Sequence, residues 1–216
     1  MSSIRFLVIA LVFSLTAIPA QATLISVSGP NSLRGAAAAI IAAPSDVNDG
    51  AANNLAQQGF DEIQNFVLFA DIAVDGGTIP TGTTISSHMI FLNNSAADGK
   101  TLNEHIGVMW TFNGNVLGVM SDYTGSEEVA TSSVLGAAGT AYPVATFNAR
   151  GMEIDDSYSF LGSILTVNMR IRQPGDWIRV ITASDTRVPE PATALLLVGG
   201  LLGLLGLARY RARKAT

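Results

Sequence analysis

Two histidines and a set of carboxylates are the side chains of this sequence that suit acid–base or metal chemistry. His88 and His105 have no His-x-His or i, i+4 spacing that would bring them onto one metal ion. We therefore expect each to be a hydrogen-bonded histidine on a sheet face or at a strand end. The chain contains no cysteine, which excludes thiol catalysis, cysteine-based zinc sites and iron–sulfur clusters.

Paired carboxylates cleave glycosidic bonds when they are held at a defined separation. The sequence offers six acidic residues for such a pair: Glu62, Glu104, Glu127, Glu128, Glu153 and Asp155. Their separations in space do not follow from the sequence. The segment Thr124-Gly125-Ser126 precedes two of them and predicts solvated loop charges. No serine lies in a Gly-x-Ser-x-Gly motif or a comparable activating context, so we expect no catalytic residue.

Calcium is the ion that the oxygen-rich loops favour, although the sequence does not assign its ligands. The segment Asp46-Val47-Asn48-Asp49-Gly50 starts like a calcium loop. Gly50 and Gln57 stand where an EF-hand needs an Asx at position five and a glutamate at position twelve, so an Asx-Gly turn is the simpler interpretation. Two further acidic pairs offer oxygen donors: Asp71 with Asp75, and Asp155 with Asp156. The sequence thus permits one structural Ca²⁺ and indicates no other cofactor.

Aromatic side chains could stack on sugars where they stand on the surface. Tyr123, Tyr142 and Tyr158 lie in loop-like contexts, whereas Trp110 and Trp177 have apolar strand neighbours that predict core packing.

The elements that must position these residues are β-strands. Leu165–Arg172 alternates apolar and polar residues, which is typical of a strand with one wet face. A turn at 173–176 follows, and Trp177–Ala183 is expected to be its partner strand. Asn113-Gly114 predicts a two-residue hairpin turn between Ile106–Phe112 and Asn115–Ser121.

In that hairpin Trp110 would lie opposite Leu117, and Val108 opposite Val119, with Ile106 on the same face.

Further strand candidates are Leu24–Ser28, Asn65–Asp71, Thr83–Asn93 and, more weakly, Tyr142–Phe147. Residues 33–60 are ambiguous between a helical turn and a strand. Many short strands separated by Gly-rich turns predict an all-β fold, an antiparallel β-sandwich or jelly roll.

The N-terminal residues 1–22 have the pattern of a secretory signal peptide. Arg5 precedes the apolar run Phe6–Ile18, and Ala20 and Ala22 flank Gln21 in a small-x-small cleavage site. The mature chain is then expected to begin at Thr23. The alternative is a first membrane helix, which a run of about thirteen residues is too short to favour.

The exported segment 23–187 has about 165 residues, enough for one domain with a full core. It keeps 7 of the 12 Lys and Arg residues and 16 of the 17 Asp and Glu residues, a formal net charge of −9. This charge argues against nucleic acid and anionic lipid as partners.

The C-terminal residues form three pieces in a fixed order. Val188, Pro189, Glu190 and Pro191 come first, and an uncharged Leu/Gly/Ala run at 192–208 follows. As a helix this run would span about 25 Å, slightly less than a hydrocarbon core, so it predicts a short transmembrane helix. A basic end completes the tail and predicts a cytoplasmic C-terminus: Arg209, Arg211, Arg213 and Lys214.

The three pieces together, residues 188–214, resemble the PEP-CTERM sorting signal of Gram-negative bacteria. The resemblance implies processing near Pro189-Glu190-Pro191 by an exosortase, a membrane-embedded cysteine transpeptidase. It also implies export through the secretion machinery, a transient stay in the inner membrane, and release or attachment at the cell surface, often in bacteria that make exopolysaccharide. Hydropathy alone shows only a membrane helix.

Three hypotheses follow for the chain. The first is an exported, non-enzymatic protein that is sorted to the cell surface or extracellular matrix. The second is a polysaccharide-binding or polysaccharide-cleaving β-sandwich. The third is a single-pass membrane protein that keeps its C-terminal anchor.

Overall fold

The computed structural model describes residues 23–51, 54–94, 97 and 100–184, which belong to one compact unit. These residues are mostly β-strands in several sheets, with one short helix, so the all-β prediction is confirmed for them. The elements follow in this order: β1 Leu24–Ser28, β2 Ala39–Ile40, β3 Gln58–Asp61, β4 Phe66–Val67, β5 Ile72–Val74, β6 Gly77–Ile79, β7 Thr84–Leu92, β8 Asn103–Phe112, β9 Val116–Met120, α1 Ser126–Leu135, β10 Ser157–Leu161, β11 Ile164–Ile171 and β12 Asp176–Ala183.

The strands form two larger sheets and one small hairpin. The first sheet has the order β1-β8-β11-β10 and is antiparallel throughout. The second sheet has the order β2-β3-β7-β12-β9, and β4 also pairs with β7. In it only β2 and β3 run parallel. The hairpin consists of β5 and β6.

Both larger sheets contribute to one apolar core. On β11 the alternation predicted from the sequence is present, because Leu165, Val167 and Met169 are buried while Arg170 is exposed. These side chains belong to the same buried cluster as Ile178 of β12. Each large apolar side chain that leaves water in this way stabilises the fold by about 1.5–3 kcal/mol.

A close approach between the two sheets occurs at Gly59 on β3. A Cβ atom there would lie 2.7 Å from the ring of Trp110 on β8, so the indole occupies the space that a side chain would fill. Trp110 is fully buried, and its Nε1–H donates to the buried Gln57 at 3.1 Å. The predicted core position of Trp110 is therefore confirmed.

The predicted Asn113-Gly114 hairpin is wrong. β8 pairs with β1 and β11, whereas β9 pairs with β12, so the chain crosses from one sheet to the other between Phe112 and Val116. The flanking strands are apolar on their inner faces and contribute Trp110 and Val119 to the same core. Facing each other across the core buries this surface as well as pairing side by side would.

The strand at the end of the described chain is also paired differently from the prediction. β12 was expected beside β11, but it lies between β7 and β9 in the second sheet. The segment 173–175 therefore carries the chain across the core rather than closing a hairpin. β12 is buried from Asp176 to Thr182, as expected of a central strand with both faces covered.

A β-bulge on β8 changes which residues face the core. Val167 pairs with Val108, but Met169 pairs with His105, so β8 has one extra residue in this interval. Gly107 lies at the bulge with a φ of +73°, a left-handed conformation that glycine adopts without strain. Ile106 consequently points outward and is 46% exposed, contrary to the prediction that it shares the face of Trp110.

The helix α1 replaces the loop that was expected around Glu127. Its first turn is held by Asp122, whose carboxylate accepts hydrogen bonds from the backbone N–H of Ser126 at 2.9 Å and of Glu127 at 3.0 Å. Burial alone would raise the pKa of Asp122, but these bonds lower it. The remaining differences are local: Asn65–Asp71 holds only the two-residue strand β4, Tyr142–Phe147 holds no strand, and the ambiguous Leu33–Phe60 holds β2 and most of β3.

Candidate functional site

The residues of the predicted terminal signals lie outside the described part of the chain. This applies to the signal-peptide cleavage residues, the Pro-Glu-Pro segment and the basic end: Ala20 and Ala22; Val188, Pro189, Glu190 and Pro191; Arg209, Arg211, Arg213 and Lys214. The predicted transmembrane helix at 192–208 also lies outside it. Among the described residues, no helix has the length and apolar character needed to cross a membrane.

The two histidines are separate and each is held by hydrogen bonds. His88 on β7 is buried, its Nδ1 lies 2.7 Å from Asp61 Oδ1, and its Nε2 lies 3.0 Å from Thr182 Oγ1. His105 on β8 accepts the backbone N–H of Gln57 at Nδ1 and donates from Nε2 to Pro30 O, both at 2.9 Å. Burial lowers the pKa of His105, against the raising effect of the Pro30 bond. Both are structural residues of the sheets, as the sequence predicted.

A buried charge network links β12 to the loop after β3 and to α1. Arg179 and Glu62 are fully buried, and Arg179 Nε donates to Glu62 Oε2 at 2.7 Å. Arg179 Nη1 donates to the backbone carbonyl of Glu128 at 2.7 Å. Burial alone would lower the pKa of Arg179, but the two carboxylates raise it. The solvated loop position predicted for Glu128 is wrong, since its side chain is only 1% exposed.

Arg150 is the second buried cation that Glu128 binds. Its Nη2 donates to Glu128 Oε2, and its Nη1 donates to the carbonyls of Pro143 at 2.9 Å and Ala145 at 2.8 Å. The guanidinium also lies 5.6 Å from the ring centre of Phe147. Arg150 therefore ties the irregular segment before it to α1.

A cavity of about 240 Å³ lies between α1 and the segment around β4 and β5. Its walls are mostly apolar and include Phe66, Leu68 and Val134, and Glu127 is the acidic residue that α1 contributes. Burial raises the pKa of Glu127 to about 7, with repulsion from Asp75 and a hydrogen bond to it as further causes. Glu127 therefore keeps its proton to a higher pH than an exposed glutamate does.

Glu153, Asp156 and Asp176 form a cluster of acidic side chains in the part of the chain that the structure describes. One carboxylate oxygen of each lies within 4.8 Å of those of the other two. Asp176 is fully buried at the start of β12, while Glu153 and Asp156 are half-buried in the loop before β10. Burial is the largest cause that raises the pKa of each, and repulsion from neighbouring acidic side chains, among them Asp155, acts in the same direction.

Neither carboxylate oxygen of Asp176 has a hydrogen-bond partner among the described residues. Asp156, in contrast, accepts the backbone N–H of Arg170 at 2.6 Å and that of Glu153 at 2.8 Å. The group therefore combines one unpaired, fully buried acid with one that backbone bonds orient. All three side chains offer only oxygen, which suits hard divalent cations.

Each of the six acidic candidates for a cleaving pair interacts with another charged side chain. The partners are as follows: Glu62 and Glu128 bind Arg179, Glu104 and Asp155 bind Arg170, Glu127 faces Asp75, and Glu153 faces Asp156 and Asp176.

The remaining predicted ligands and aromatics are placed as follows. The segment 46–50 forms an Asx turn at Asp46, whose Oδ1 accepts the backbone N–H of Asn48 at 2.7 Å. Trp177 is buried as predicted, and its Nε1–H donates to Val47 O at 2.8 Å. Of the three tyrosines predicted in loops, Tyr123 is 49% exposed, whereas Tyr142 and Tyr158 are half-buried.

Two residues of these sites were not predicted from the sequence. Asp176 was expected in a turn, and Arg179 was expected in an apolar strand. A usable signal was present: a strand whose other residues are nearly all apolar carries two charges, and charges inside a central strand need partners.

Comparisons of the chain with models of protein families, with curated proteins and with solved structures found no match.

Proposed function

We propose that this chain is an exported, non-enzymatic protein that is sorted to the cell surface or extracellular matrix through its C-terminal signal. One observation carries the proposal: the Pro-Glu-Pro segment, the apolar run 192–208 and the basic end follow each other in that order, in a chain that starts with the pattern of an export signal. The exported part is proposed to be an antiparallel β-sandwich made of the two larger sheets.

The partners in this proposal follow from the resemblance of the tail to PEP-CTERM signals. The secretion machinery exports the chain, and the tail holds it transiently in the inner membrane. An exosortase-type enzyme then processes it near Pro189-Glu190-Pro191, and exopolysaccharide is the surface material that the mature protein meets. The formal charge of −9 on residues 23–187 supports a role without nucleic acid.

The pairing of buried acidic residues with cations supports the non-enzymatic part of the proposal. Glu62 and Glu128 are buried with cations, so they stabilise the fold and are not presented to a substrate. His88 and His105 are likewise bound by neighbouring groups at both ring nitrogens. Neither histidine lies beside a serine positioned as a nucleophile by a known motif.

Deleting residues 188–216 tests the sorting. The truncated protein should move from the surface fraction to the soluble periplasmic or secreted fraction. A sharper variant replaces Pro189, Glu190 and Pro191 by alanine and should accumulate unprocessed in the inner membrane. Alanine replacement of residues 185–187, just before the signal, serves as the matched control and should be sorted normally. Unchanged fractionation of the deletion would refute the proposal.

Polysaccharide binding is a second candidate, and the exposure of Tyr123 favours it, since a flat exposed aromatic ring can stack on a sugar. A glycan array on the full chain in detergent tests it, with Tyr123→Ala as the variant and Phe69→Ala, at a residue that is 73% exposed, as the control. Signals that only Tyr123→Ala removes would support binding. Release of reducing sugar would show cleavage and contradict the non-enzymatic proposal. The third candidate is a single-pass membrane protein that keeps its C-terminal anchor. The mass of the mature protein distinguishes it from a processed protein, because a retained tail adds to that mass.

A further inference from the structure

We propose that Glu153, Asp156 and Asp176 bind one divalent cation of the calcium type. One oxygen from each carboxylate lies within 4.8 Å of the other two, so a single ion with oxygen distances of about 2.3–2.6 Å can contact all three. The three residues come from two separate parts of the chain, the loop before β10 and the first position of β12. A bound ion would therefore join these two parts.

The environment of Asp176 is the observation that points to a ligand. Its side chain is fully buried, and neither of its oxygens has a hydrogen-bond partner among the described residues. A buried carboxylate without partners is costly unless it is neutralised or paired. The charged groups that face it are Asp156 and Glu153, which are acidic themselves and so add repulsion. A cation at this point removes the penalty for all three.

The loop is held in a shape that keeps the carboxylates together. Asp156 accepts the backbone N–H groups of Arg170 and Glu153, and its own N–H donates to Glu153 O at 3.0 Å. At the other end, the N–H of Trp177 donates to Arg150 O at 3.0 Å, which ties the residue after Asp176 to the start of the same loop. Each Asp156 oxygen uses one lone pair in these bonds, so its second lone pair remains available to a metal.

The ligand chemistry selects among metals. The group has no histidine or cysteine, which are the ligands that zinc and copper sites prefer. Among hard cations, Ca²⁺ accepts six to eight oxygens in irregular geometry, whereas Mg²⁺ demands a near-ideal octahedron. A polar cavity of about 300 Å³ borders Glu153 and gives water access for the remaining positions. Export would place the site where millimolar calcium is available.

Two arginines line the same cavity and could in principle neutralise Asp176. Arg170 Nε binds Glu104 Oε1 at 2.7 Å and its Nη1 binds Asp155 Oδ2 at 3.1 Å, so both of its ion pairs lie outside the group. Its charge also opposes the rise in the pKa of Asp156, but burial outweighs it. Arg172 also lines the cavity, and its Nη1 lies 3.5 Å from the carbonyl oxygen of Lys100. Neither guanidinium forms an ion pair with Asp176, which leaves the buried acid for a different cation.

Calcium titration of the full chain in a mild detergent tests the proposal. We expect one ion per chain by isothermal titration calorimetry, with a Kd of about 0.1–1 mM, the range of extracellular calcium modules. Addition of about 10 mM CaCl₂ should raise the Tm by about 3–10 °C relative to EDTA, and MgCl₂ at the same concentration should do less.

The variant Asp176→Asn makes the test specific because it keeps the shape and removes the unpaired charge. It should weaken calcium binding at least tenfold, yet in EDTA it should unfold at the same or a higher temperature than the original protein. Asp155→Asn, next to the group but 62% exposed in its side chain, is the matched control and should bind calcium normally.

Two results would overturn the proposal. Equal calcium responses in the original protein and in Asp176→Asn would show that any bound ion lies elsewhere. No calcium response at all, together with the same Tm in EDTA for both proteins, would show that Asp176 is simply a buried neutral acid. Processing of the C-terminal tail does not affect either outcome.

Discussion

Arg179 on β12 donates two hydrogen bonds to the carboxylate of Glu62, from Nε at 2.7 Å and from Nη2 at 2.8 Å, and both side chains are fully buried. Glu62 follows β3 directly, and Arg179 also donates to the carbonyl of Glu128 in α1. One guanidinium therefore connects a central strand, a loop and the helix. Such a pair gains little net stability once desolvation is counted, but breaking it leaves an uncompensated buried charge.

Replacing Arg179 should be strongly destabilising for that reason. We expect Arg179→Met to lower the free energy of unfolding by about 3–5 kcal/mol in urea titrations. The double variant Arg179→Met/Glu62→Gln should recover part of the loss. The control Arg172→Met removes an exposed arginine and should cost less than about 0.5 kcal/mol. A similar small cost for Arg179→Met would contradict the role assigned to the pair.

Glu127 should make the protein less stable as the pH rises. Its pKa is raised from 4.5 to about 7, so the folded chain binds its proton more tightly than the unfolded chain does. The stabilisation is therefore fully present below about pH 4.5 and is lost as the pH rises through about 7. Because glutamine resembles the protonated acid, Glu127→Gln should match the original protein near about pH 5 and exceed its stability near about pH 8.

Chemical denaturation at both pH values measures this difference. Glu104→Gln is the control, because it removes a half-buried partner of Arg170 and should gain no stability at the higher pH. A Glu127→Gln variant whose advantage does not grow between the two pH values would refute the assignment.

Gly59 should be sensitive to a single added methyl group. Gly59→Ala would place Cβ 2.7 Å from the ring of Trp110, which is fully buried. We expect a loss of about 1–3 kcal/mol, typical of an overpacked core, measured by urea unfolding with tryptophan fluorescence. Gly77→Ala on β6, where nothing lies within 4 Å of an added Cβ, should be close to neutral.

The sequence predicts where strands lie better than how they pair. The alternation on β11 and the bounds of β1 and β7 follow from local patterns of apolar residues. The pairing of β8 and β9 does not, because Asn113-Gly114 permits a hairpin and also a crossing to the facing sheet. Inner faces that are apolar on both strands are buried equally well by the two arrangements, so only the whole fold decides between them.

The sites show a similar division. The sequence predicted hydrogen-bonded histidines at 88 and 105, and tryptophans packed in the core at 110 and 177. Both predictions are confirmed, because the segments around these residues already indicated strands. The group around Asp176 could not be found in this way, because Asp176 and Asp156 come from different segments that only tertiary packing brings together. The helix α1 was missed because it is rich in Ser, Thr and Val and lacks a clear apolar face.

The central claim, that the tail is a signal which another enzyme removes, is tested most directly by the intact mass of the protein isolated from its own cells. The account predicts a chain that starts at Thr23 and ends within residues 188–191, without the apolar run 192–208. A mass that includes every residue to Thr216 would contradict it and would show that the tail is a retained anchor.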